Sequence, residues 1–363
     1  MLPQSVINDL CQYRHSPRTV LPAHDTMIPA LQRLQFGPML DVAAQSCAAA
    51  NPSVRLENQD NYLLIDIHGQ AVFLRGEVEQ RQRVDGWPSG HARIAVLDGM
   101  GGHGRGREAA EAVVAGLLAM PACASLGQLS ALLEELHARL QRHFADSADA
   151  ANPDKRPGTT LTMLELRPGQ AALLWHVGDS RLYEIARGQA VPMTVDHVPA
   201  TAFAMGGLLG EHEWWQQVHC EHRSQISQAF ILGNAFDKPS ALSAPLHELS
   251  PRNLPPFLYH LPDRRAIELD PGALYVLATD GFWACDAPQA WLGSWTRLLA
   301  GEHSAHAMCD ALFTGMLAAP PPGLHMDNIT AIVLRPLRKA HGDDRAQDIS
   351  TRQLNRGNGE KDC

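Results

Sequence analysis

The sequence predicts an α+β fold in which two antiparallel sheets pack on each other and helices cover their outer faces. Two observations lead to this prediction. Short apolar runs follow one another with connections of a few residues, whereas a parallel pair needs a crossover of a dozen residues or more. Two helical stretches follow the first group of strands and two more precede the last strand, which is typical of layered α+β proteins and not of a doubly wound parallel sheet.

Hydrophobic periodicity gives the elements in chain order. Regular structure is predicted to begin near residues 40–50. Strands are predicted at residues 61–66, 70–74, 92–97, 159–166, 171–177, 181–185, 227–232, 273–278 and 328–334. Helices are predicted at residues 107–118, 126–144, 287–300 and 304–317. The polar stretch 75–91 contains Gly86, Trp87 and Pro88 and is interpreted as a loop.

The chain divides into three parts. The proline-rich residues 1–39 predict an N-terminal extension, and the polar residues 337–363 predict a disordered tail. Between them, residues 40–336 form the predicted domain. Within that domain, residues 196–264 lose the periodic pattern and contain several prolines. They are either an irregular, flap-like insertion over a site or loosely packed surface.

The composition excludes several classes of protein. The 363 residues are 45% hydrophobic and carry a formal net charge of −9. That charge argues against binding to nucleic acid or to an anionic membrane, because phosphate contacts need a basic surface. No apolar leader follows Met1, and the seven cysteines lack C-x-x-C spacing. We therefore expect a cytoplasmic protein with reduced thiols and no secretion signal.

The stretch around Asp98 joins an apolar strand to a helix through a glycine-rich turn. The strand places the Asp98 carboxylate at the rim of a sheet, and Gly99 lets the backbone approach a ligand closely. Gly99, Gly101 and Gly104 formally match the dinucleotide fingerprint. The context argues against a dinucleotide, because Asp98 would lie beside the pyrophosphate and no acidic strand end follows at the required distance. A carboxylate followed by the Gly99 carbonyl suits a divalent cation instead.

Three more aspartates, Asp179, Asp280 and Asp327, lie at predicted strand ends and precede Gly, Ser or Asn. One such dipeptide is usually an ordinary turn. Four of them without a set of histidines or cysteines predict hard oxygen ligands, which favour magnesium, manganese or calcium over zinc. Arg55, just before the first clear strand, is either a surface ion-pair partner or a clamp for phosphate oxygens.

Seven segments in this order resemble the metal-dependent protein phosphatases of the 2C type. They are Arg55-x-x-Asn-Gln-Asp60, Val96-Leu-Asp98-Gly-Met-Gly-Gly-His103, Gly158-Thr-Thr160, Val177-Gly-Asp179-Ser-Arg181, residues 222–233, Leu277-Ala-Thr-Asp280-Gly-Phe-Trp283 and Asp327-Asn328. Each segment is weakly specific by itself, whereas the ordered set over about residues 40–336 is highly specific.

The resemblance implies a sandwich of two antiparallel sheets flanked by helices, with metal ions bound at one end between the sheets. By position, Asp98, Asp280 and Asp327, with the Gly99 carbonyl, match the ligands of two manganese or magnesium ions. The family carries its substrate-facing flap where residues 196–264 lie in this chain.

Three further residues take roles from the resemblance. Asp60 matches an acidic position that contacts the metals largely through bound water, and Asp179 matches a ligand of a third metal ion in bacterial members. Arg55 matches the phosphate-binding arginine. The implied activity is hydrolysis of phosphoserine and phosphothreonine in proteins, opposite a serine/threonine kinase in bacterial signal transduction. We expect a monomer with no nucleic-acid or membrane partner.

Two positions depart from part of the family. Gln59 replaces a metal-binding Glu of some members, and Met100 replaces a histidine proposed there as the general acid. The acid that protonates the leaving group is therefore unassigned, and His103 nearby is either a candidate or a residue that packs the turn. The alternative function is a catalytically weak or inactive binding module of the same fold, although such a module is expected to lose metal ligands that this chain retains.

Overall fold

A computed structural model describes residues 33–38, 40–48, 57–101, 105–145, 156–221, 225–236, 245–325 and 327–337 of the chain. It contains a seven-stranded and a five-stranded sheet, with helices packed on the outer face of each. The predicted fold class, a sandwich of two antiparallel sheets flanked by helices, is confirmed. Most of the predicted N-terminal extension and all but the first residue of the predicted tail lie outside the described residues.

Sixteen strands are described. They are β1 Leu40–Cys47, β2 Asn61–Ile65, β3 Gln70–Arg75, β4 Val78–Arg83, β5 Ala92–Leu97, β6 Gly99–Met100, β7 Gly158–Thr159, β8 Leu161–Leu166, β9 Ala172–Val177, β10 Arg181–Ala186, β11 Gln189–Pro192, β12 Gln228–Ala229, β13 Gly233–Asn234, β14 Arg264–Ile267, β15 Leu274–Ala278 and β16 Ile329–Pro336. The α-helices are α1 Arg105–Ala119, α2 Leu126–Ala145, α3 Pro199–Met205, α4 Glu211–Trp215, α5 Pro288–Leu299 and α6 Ala305–Ala318.

The order in the larger sheet is β14-β9-β8-β5-β2-β3-β4, and the order in the smaller is β1-β16-β15-β10-β11. All the described strand pairs are antiparallel. Strand β5 shows how the two-residue period builds the layers. Ala95 and Leu97 face helices α1 and α2, whereas Ile94 and Val96 face the other sheet. Because both faces are covered, this central strand is apolar along nearly its whole length.

A buried ion pair fixes the end of helix α1 to the larger sheet. The Arg93 guanidinium bonds both carboxylate oxygens of Glu165, and its Nη1 donates to the carbonyls of Leu117 and Met120. The Leu117 carbonyl lies in the last turn of the helix, where carbonyls lack intrahelical partners, and Met120 follows the helix directly. The pair is fully buried yet well bonded, so it holds the C-terminal end of α1 against the sheet.

Two sequence predictions are wrong in detail. Residues 75–91, interpreted as a loop, contain strand β4, an exposed edge strand that pairs with β3 through a hairpin with both central residues at positive φ. An edge strand away from the core needs no apolar alternation, so its composition gave no strand signal. The run 227–232 forms only the two-residue strand β12, because Ile231 takes a φ of 76° and turns the chain.

Residues of the 196–264 segment pack around an apolar cluster of their own together with Val195. Its buried members are Val195, Ala200, Ala204, Trp214, Val218, Leu249, Leu254 and Leu258. The segment therefore has an internal core in its described part, unlike loosely packed surface. In the described ranges, no helix combines the length and the apolar character needed to cross a bilayer.

Candidate metal-binding active site

The register of the larger sheet brings two of the predicted carboxylates together. In the pairing of β2 with β5, Asn61 lies opposite Leu97. Asp60 and Asp98 are the residues just beyond this pair, one before β2 and one after β5. They are therefore neighbours at one end of the sheet.

The smaller sheet brings three more carboxylates to the same end of the sandwich. Ala278 at the end of β15 lies opposite Arg181 at the start of β10 and opposite Ala331 near the start of β16. The loops just beyond these strands carry Asp280, Asp179 and Asp327, respectively. Asp179 lies where the chain passes from β9 in the larger sheet to β10 in the smaller, so this loop borders both sheets.

The five carboxyl groups act on one another electrostatically. Burial, and then the charge of Asp327, raises the pKa of Asp60 to about 8. Burial, and then the charges of Asp60, Asp280 and Asp327, holds the pKa of Asp98 well above its ordinary value. Burial and then Asp280 do the same to the pKa of Asp179. Buried carboxylates of like charge that lie this close together form a place where a cation binds favourably.

Asp60 is held by hydroxyl groups from the opposite sheet. Thr279 Oγ1 and Thr330 Oγ1 each donate to Asp60 Oδ2 at 2.8 Å. Ser46 Oγ contacts Thr330 Oγ1 at 2.7 Å and in turn accepts from Asn58 Nδ2 at 2.7 Å. These hydrogen bonds fix Oδ2 of Asp60, whereas Oδ1 has no hydrogen-bond partner among the described residues.

The loop at Asp98 is fixed by a threonine and by a close backbone approach. Thr160 accepts from the Asp98 N–H through Oγ1 and donates its own N–H to the Asp98 carbonyl, both at 2.9 Å. At Gly99, a Cβ would collide with the carbonyl oxygens of Gln59 and Gly106. Only glycine fits between these carbonyls, so the turn after β5 lies directly against the segment before β2.

The loop at Asp179 is gripped by a buried histidine. The Gly178 N–H donates to His197 Nδ1 at 3.0 Å, and the His197 backbone N–H donates to the Gly178 carbonyl at 2.8 Å. His197 Nε2 lies 3.1 Å from Asp263 Oδ2. Gly178 has a φ of 108°, and a Cβ there would meet the Thr160 side chain. His197 and Asp263 lie near the two ends of the 196–264 segment. The segment thus holds the Asp179 loop through residues from both of the segment's ends.

The donor set fits hard divalent cations. Asp60 Oδ1 and Asp280 Oδ1 are buried and have no hydrogen-bond partner among the described residues. No group of three or more His, Cys, Asp or Glu side chains in the described part of the chain is arranged to hold a metal ion as it stands. Magnesium usually binds through one or two carboxylates and keeps several waters, so an open cluster of aspartates suits it.

The structure thus brings Asp60, Asp98, Asp179, Asp280 and Asp327 together, and it places Gly99 in strand β6 beside them. Arg55 and His103 lie outside the described residues. Gln59 Nε2 donates to Glu57 Oε1 at 3.1 Å, and Met100 ends strand β6. The antiparallel partners of β5 argue further against a dinucleotide fold, which needs a parallel βαβ unit.

Sequence reasoning missed the residues that hold the cluster. Ser46, Thr330 and His197 were not singled out, because a lone hydroxyl or imidazole in an apolar run carries no local signal. Their partners are far along the chain: Thr330 contacts Ser46 across 284 positions, and His197 contacts Asp263 across 66. Thr279 and Asn328 did stand in the recognised segments, directly beside Asp280 and Asp327.

A comparison with known families decides the assignment: the model of the protein phosphatase 2C family matches residues 82–312. The chain belongs to the protein phosphatase 2C family. This region holds three of the five clustered aspartates, and the other two, Asp60 and Asp327, flank it.

Relatives of known sequence and structure agree with this membership. The serine/threonine protein phosphatase PstP of Mycobacterium tuberculosis is 35% identical over 113 residues, which is 30% of this chain and 21% of the relative. The chain therefore matches about a fifth of the length of that relative.

Two solved structures share the fold. The serine/threonine phosphatase of S. agalactiae superposes with a TM-score of 0.56 at 20% identity, covering 82% of this chain and all of that one. The catalytic domain of PstP in complex with two manganese ions gives a TM-score of 0.50 at 21% identity, covering 83% of this chain and 99% of that one.

Proposed function

We propose that this protein is a metal-dependent phosphatase that hydrolyses phosphoserine and phosphothreonine in proteins. The observation that carries the proposal is the cluster of five aspartates at one end of the sandwich, where burial and then the neighbouring carboxylates raise the pKa values of Asp60, Asp98 and Asp179. Family membership supports the reaction class. Two manganese or magnesium ions are proposed at the centre of the cluster, and a third beside Asp179.

Each carboxylate has a proposed part in binding the ions. Asp98, Asp280 and Asp327, with the Gly99 carbonyl, would hold the two central ions, and Asp60 would contact them through water. Asp60 suits this part because two threonines fix its Oδ2 while its Oδ1 has no partner among the described residues. Divalent cations bound in such a site supply Lewis-acid activation of water and charge neutralisation.

The chain's own residues orient the reactants. A water next to Asp60 Oδ1 would donate a hydrogen bond to a carboxylate that two threonines restrain, and this bond would orient the lone pair of the water. The proposed phosphate clamp is Arg55, whose planar guanidinium matches two phosphate oxygens as they gain negative charge. Met100 cannot donate a proton, so the general acid is left unassigned.

The partners follow from the reaction class. The substrate is a phosphorylated protein, and the opposing enzyme is a serine/threonine kinase in a bacterial signalling pathway. We propose that the protein acts in the cytoplasm as a monomer. The net charge of −9 supports a protein partner over nucleic acid or an anionic membrane.

A second candidate function is a phosphoprotein-binding module with weak or no catalysis. One observation favours it: Gln59 is uncharged where some members of the family have a metal-binding Glu. The retained aspartates favour catalysis over this alternative.

The test measures hydrolysis of phosphoserine, phosphothreonine and phosphotyrosine peptides with manganese, by the wild type and by Asp98→Asn. We expect hydrolysis of the first two peptides and a loss of several orders of magnitude in the variant. Arg55→Ala should lose about 10-fold to 1,000-fold in kcat/KM, with partial recovery in Arg55→Lys. Phosphopeptide binding without turnover by the wild type would favour the binding module instead.

A further inference from the structure

The loop that carries Asp179 is fixed on one side of this residue and depends on a glycine on the other. After Asp179, Ser180 Oγ lies 2.6 Å from Thr160 Oγ1, and the Ser180 carbonyl accepts a hydrogen bond from Thr162 Oγ1 at 2.8 Å. Before Asp179, Gly178 takes a φ of 108° and has no side chain that could anchor it. Because glycine is conformationally permissive, the direction of the Asp179 carboxylate depends on what holds the peptide groups of Gly178.

Two hydrogen bonds from one residue, His197, hold Gly178. The Gly178 N–H donates to His197 Nδ1 at 3.0 Å, and the His197 backbone N–H donates to the Gly178 carbonyl at 2.8 Å. An imidazole nitrogen accepts a hydrogen bond only while it carries no proton, so the ring proton of neutral His197 lies on Nε2. The imidazole is thus an acceptor aimed at the peptide before Asp179.

A buried carboxylate fixes the imidazole in this state. His197 Nε2 lies 3.1 Å from Asp263 Oδ2, which also accepts the Leu249 N–H at 3.0 Å. The Asp263 carbonyl in turn accepts the His176 N–H at 2.9 Å. The side chains of His197 and Asp263 are 0% and 1% exposed, so bulk water does not compete for their hydrogen bonds. The bond at Nε2 sets which ring nitrogen carries the proton, and it leaves Nδ1 facing Gly178.

We propose that His197 is a positioning residue for the metal ion at Asp179, because its imidazole fixes the peptide that precedes this ligand. The inference rests on the proposed function, in which Asp179 binds a third ion. A carboxylate whose direction is set before the ion arrives loses less conformational freedom on binding. Replacing a residue that orients a metal ligand typically costs about 10-fold to 100-fold in metal affinity.

The effect of His197 should be confined to the ion at Asp179. The described hydrogen bonds of His197 join it to Gly178, Ser227 and Asp263. None of these three residues is a proposed ligand of the two central ions. Loss of the imidazole acceptor should therefore weaken the binding of the third ion and leave the binding of the central ions unchanged.

Two substitutions separate the two bonds of the ring. His197→Asn places an amide oxygen near the position of Nδ1, so it keeps an acceptor for the Gly178 N–H but is too short to reach Asp263. His197→Gln places an amide nitrogen near the position of Nε2, so it keeps the contact to Asp263 and loses the acceptor. A role in packing alone would make the smaller Asn the more damaging replacement, which is the reverse of what a positioning role predicts.

The experiment measures manganese binding to chelator-treated protein by calorimetry. It compares the wild type, both His197 variants and Asp179→Asn, which identifies the third ion by its loss. We expect His197→Gln to bind the third ion about 10-fold to 100-fold more weakly than the wild type, and His197→Asn to stay close to the wild type. The matched control is His137→Gln, because His137 Nδ1 also accepts a backbone N–H at 3.0 Å, that of Ile231. This control should keep the wild-type affinity for all the ions.

Hydrogen exchange tests the same link in the wild type without measuring activity. If the ordered Gly178 peptide favours binding of the ion, the bound ion must favour the ordered peptide to the same degree. Saturation with magnesium should therefore slow the exchange of the Gly178 N–H, followed by NMR, and Asp179→Asn should not show this effect. The measurement decides the question even if His197→Gln fails to fold.

The outcomes separate this inference from the proposed function. Equal affinities of the wild type and His197→Gln for the third ion overturn the positioning role, and so does a larger loss in His197→Asn than in His197→Gln. Unchanged exchange of the Gly178 N–H on magnesium saturation also overturns it. If the wild type hydrolyses phosphopeptides but binds only two ions, the positioning role falls and the phosphatase stands. If the wild type neither binds manganese nor hydrolyses phosphopeptides, the proposed function falls and this inference falls with it.

Discussion

Thr279 at the end of β15 donates a hydrogen bond to the carboxylate of Asp60 at the start of β2, with 2.8 Å between Oγ1 and Oδ2. The two residues belong to different sheets, so this contact joins the sandwich at the acidic cluster. Burial and neighbouring charge make the ionised form of Asp60 unfavourable, and the hydroxyl opposes that effect. The same bond therefore serves both the packing of the sheets and the geometry of the site.

Replacing Thr279 by Val should destabilise the protein by about 1–3 kcal/mol, because the isosteric side chain leaves a buried carboxylate short of a donor. The measurement is the free energy of unfolding from urea titration, at a pH where Asp60 is ionised. The matched control is Thr296→Val on α5, at a partly exposed position away from the cluster. Equal effects of the two substitutions would show that the bond between the sheets contributes nothing.

Replacing Asp280 by Asn should preserve the fold and raise the melting temperature of the metal-free protein. The charge of Asp280 raises the pKa values of Asp60, Asp98 and Asp179, so its removal relieves repulsion. Phosphatase activity should fall by several orders of magnitude. The control is Asp310→Asn, a half-exposed carboxylate on α6. Activity of Asp280→Asn within about tenfold of the wild type would make Asp280 an ordinary turn residue.

The contribution of Asp60 to the stability of the metal-free protein should fall as the pH rises from about 4 to about 8. In this window the folded protein still binds protons at Asp60, whose pKa is about 8, while the unfolded chain has released them near 3.8. Since the folded state binds more protons, its stability falls with rising pH. The measurement is the melting temperature in chelator across this range, for the wild type and for Asp60→Asn. If the difference between the two proteins does not change with pH, Asp60 does not titrate as described.

Acid should act in the opposite direction through His137 on α2. Burial lowers the pKa of His137 to about 4, and its Nδ1 accepts the Ile231 N–H at 3.0 Å. On acidification, His137 is therefore protonated near pH 6.5 in the unfolded chain but only near pH 4 in the folded protein. This group stabilises the fold above pH 6.5, and its contribution is lost towards pH 4 at about 1.4 kcal/mol per pH unit.

The test compares urea unfolding at pH 7 and pH 5 for the wild type and for His137→Gln. The variant should be less stable than the wild type at pH 7, and the difference between the two should shrink at pH 5. His143→Gln, at an exposed position of the same helix, should follow the wild type. A variant that loses stability as steeply as the wild type would exclude His137 as the acid-sensitive group.

The features that could be predicted from the sequence are those that short stretches of residues encode. Short apolar runs such as β5 indicate strands, and aspartates at the strand ends indicate a site once antiparallel pairing is assumed. What was not predictable depends on distant neighbours. Strand β4 forms because β3 offers an edge, and the polar chain from Ser46 to Asp60 exists only after β1 and β16 have paired. The grip of His197 on Gly178 likewise follows from tertiary packing.

A manganese titration tests most directly whether the aspartate cluster is the site of a metal-dependent phosphatase. Phosphate release from a phosphothreonine peptide is measured after treatment with chelator and then with increasing manganese, alongside metal binding by calorimetry. We expect no release in chelator and full recovery once at least two ions are bound. Asp280→Asn should neither recover nor bind the full number of ions. Full activity of the wild type in excess chelator would show that the reaction does not depend on metal ions held by the aspartates.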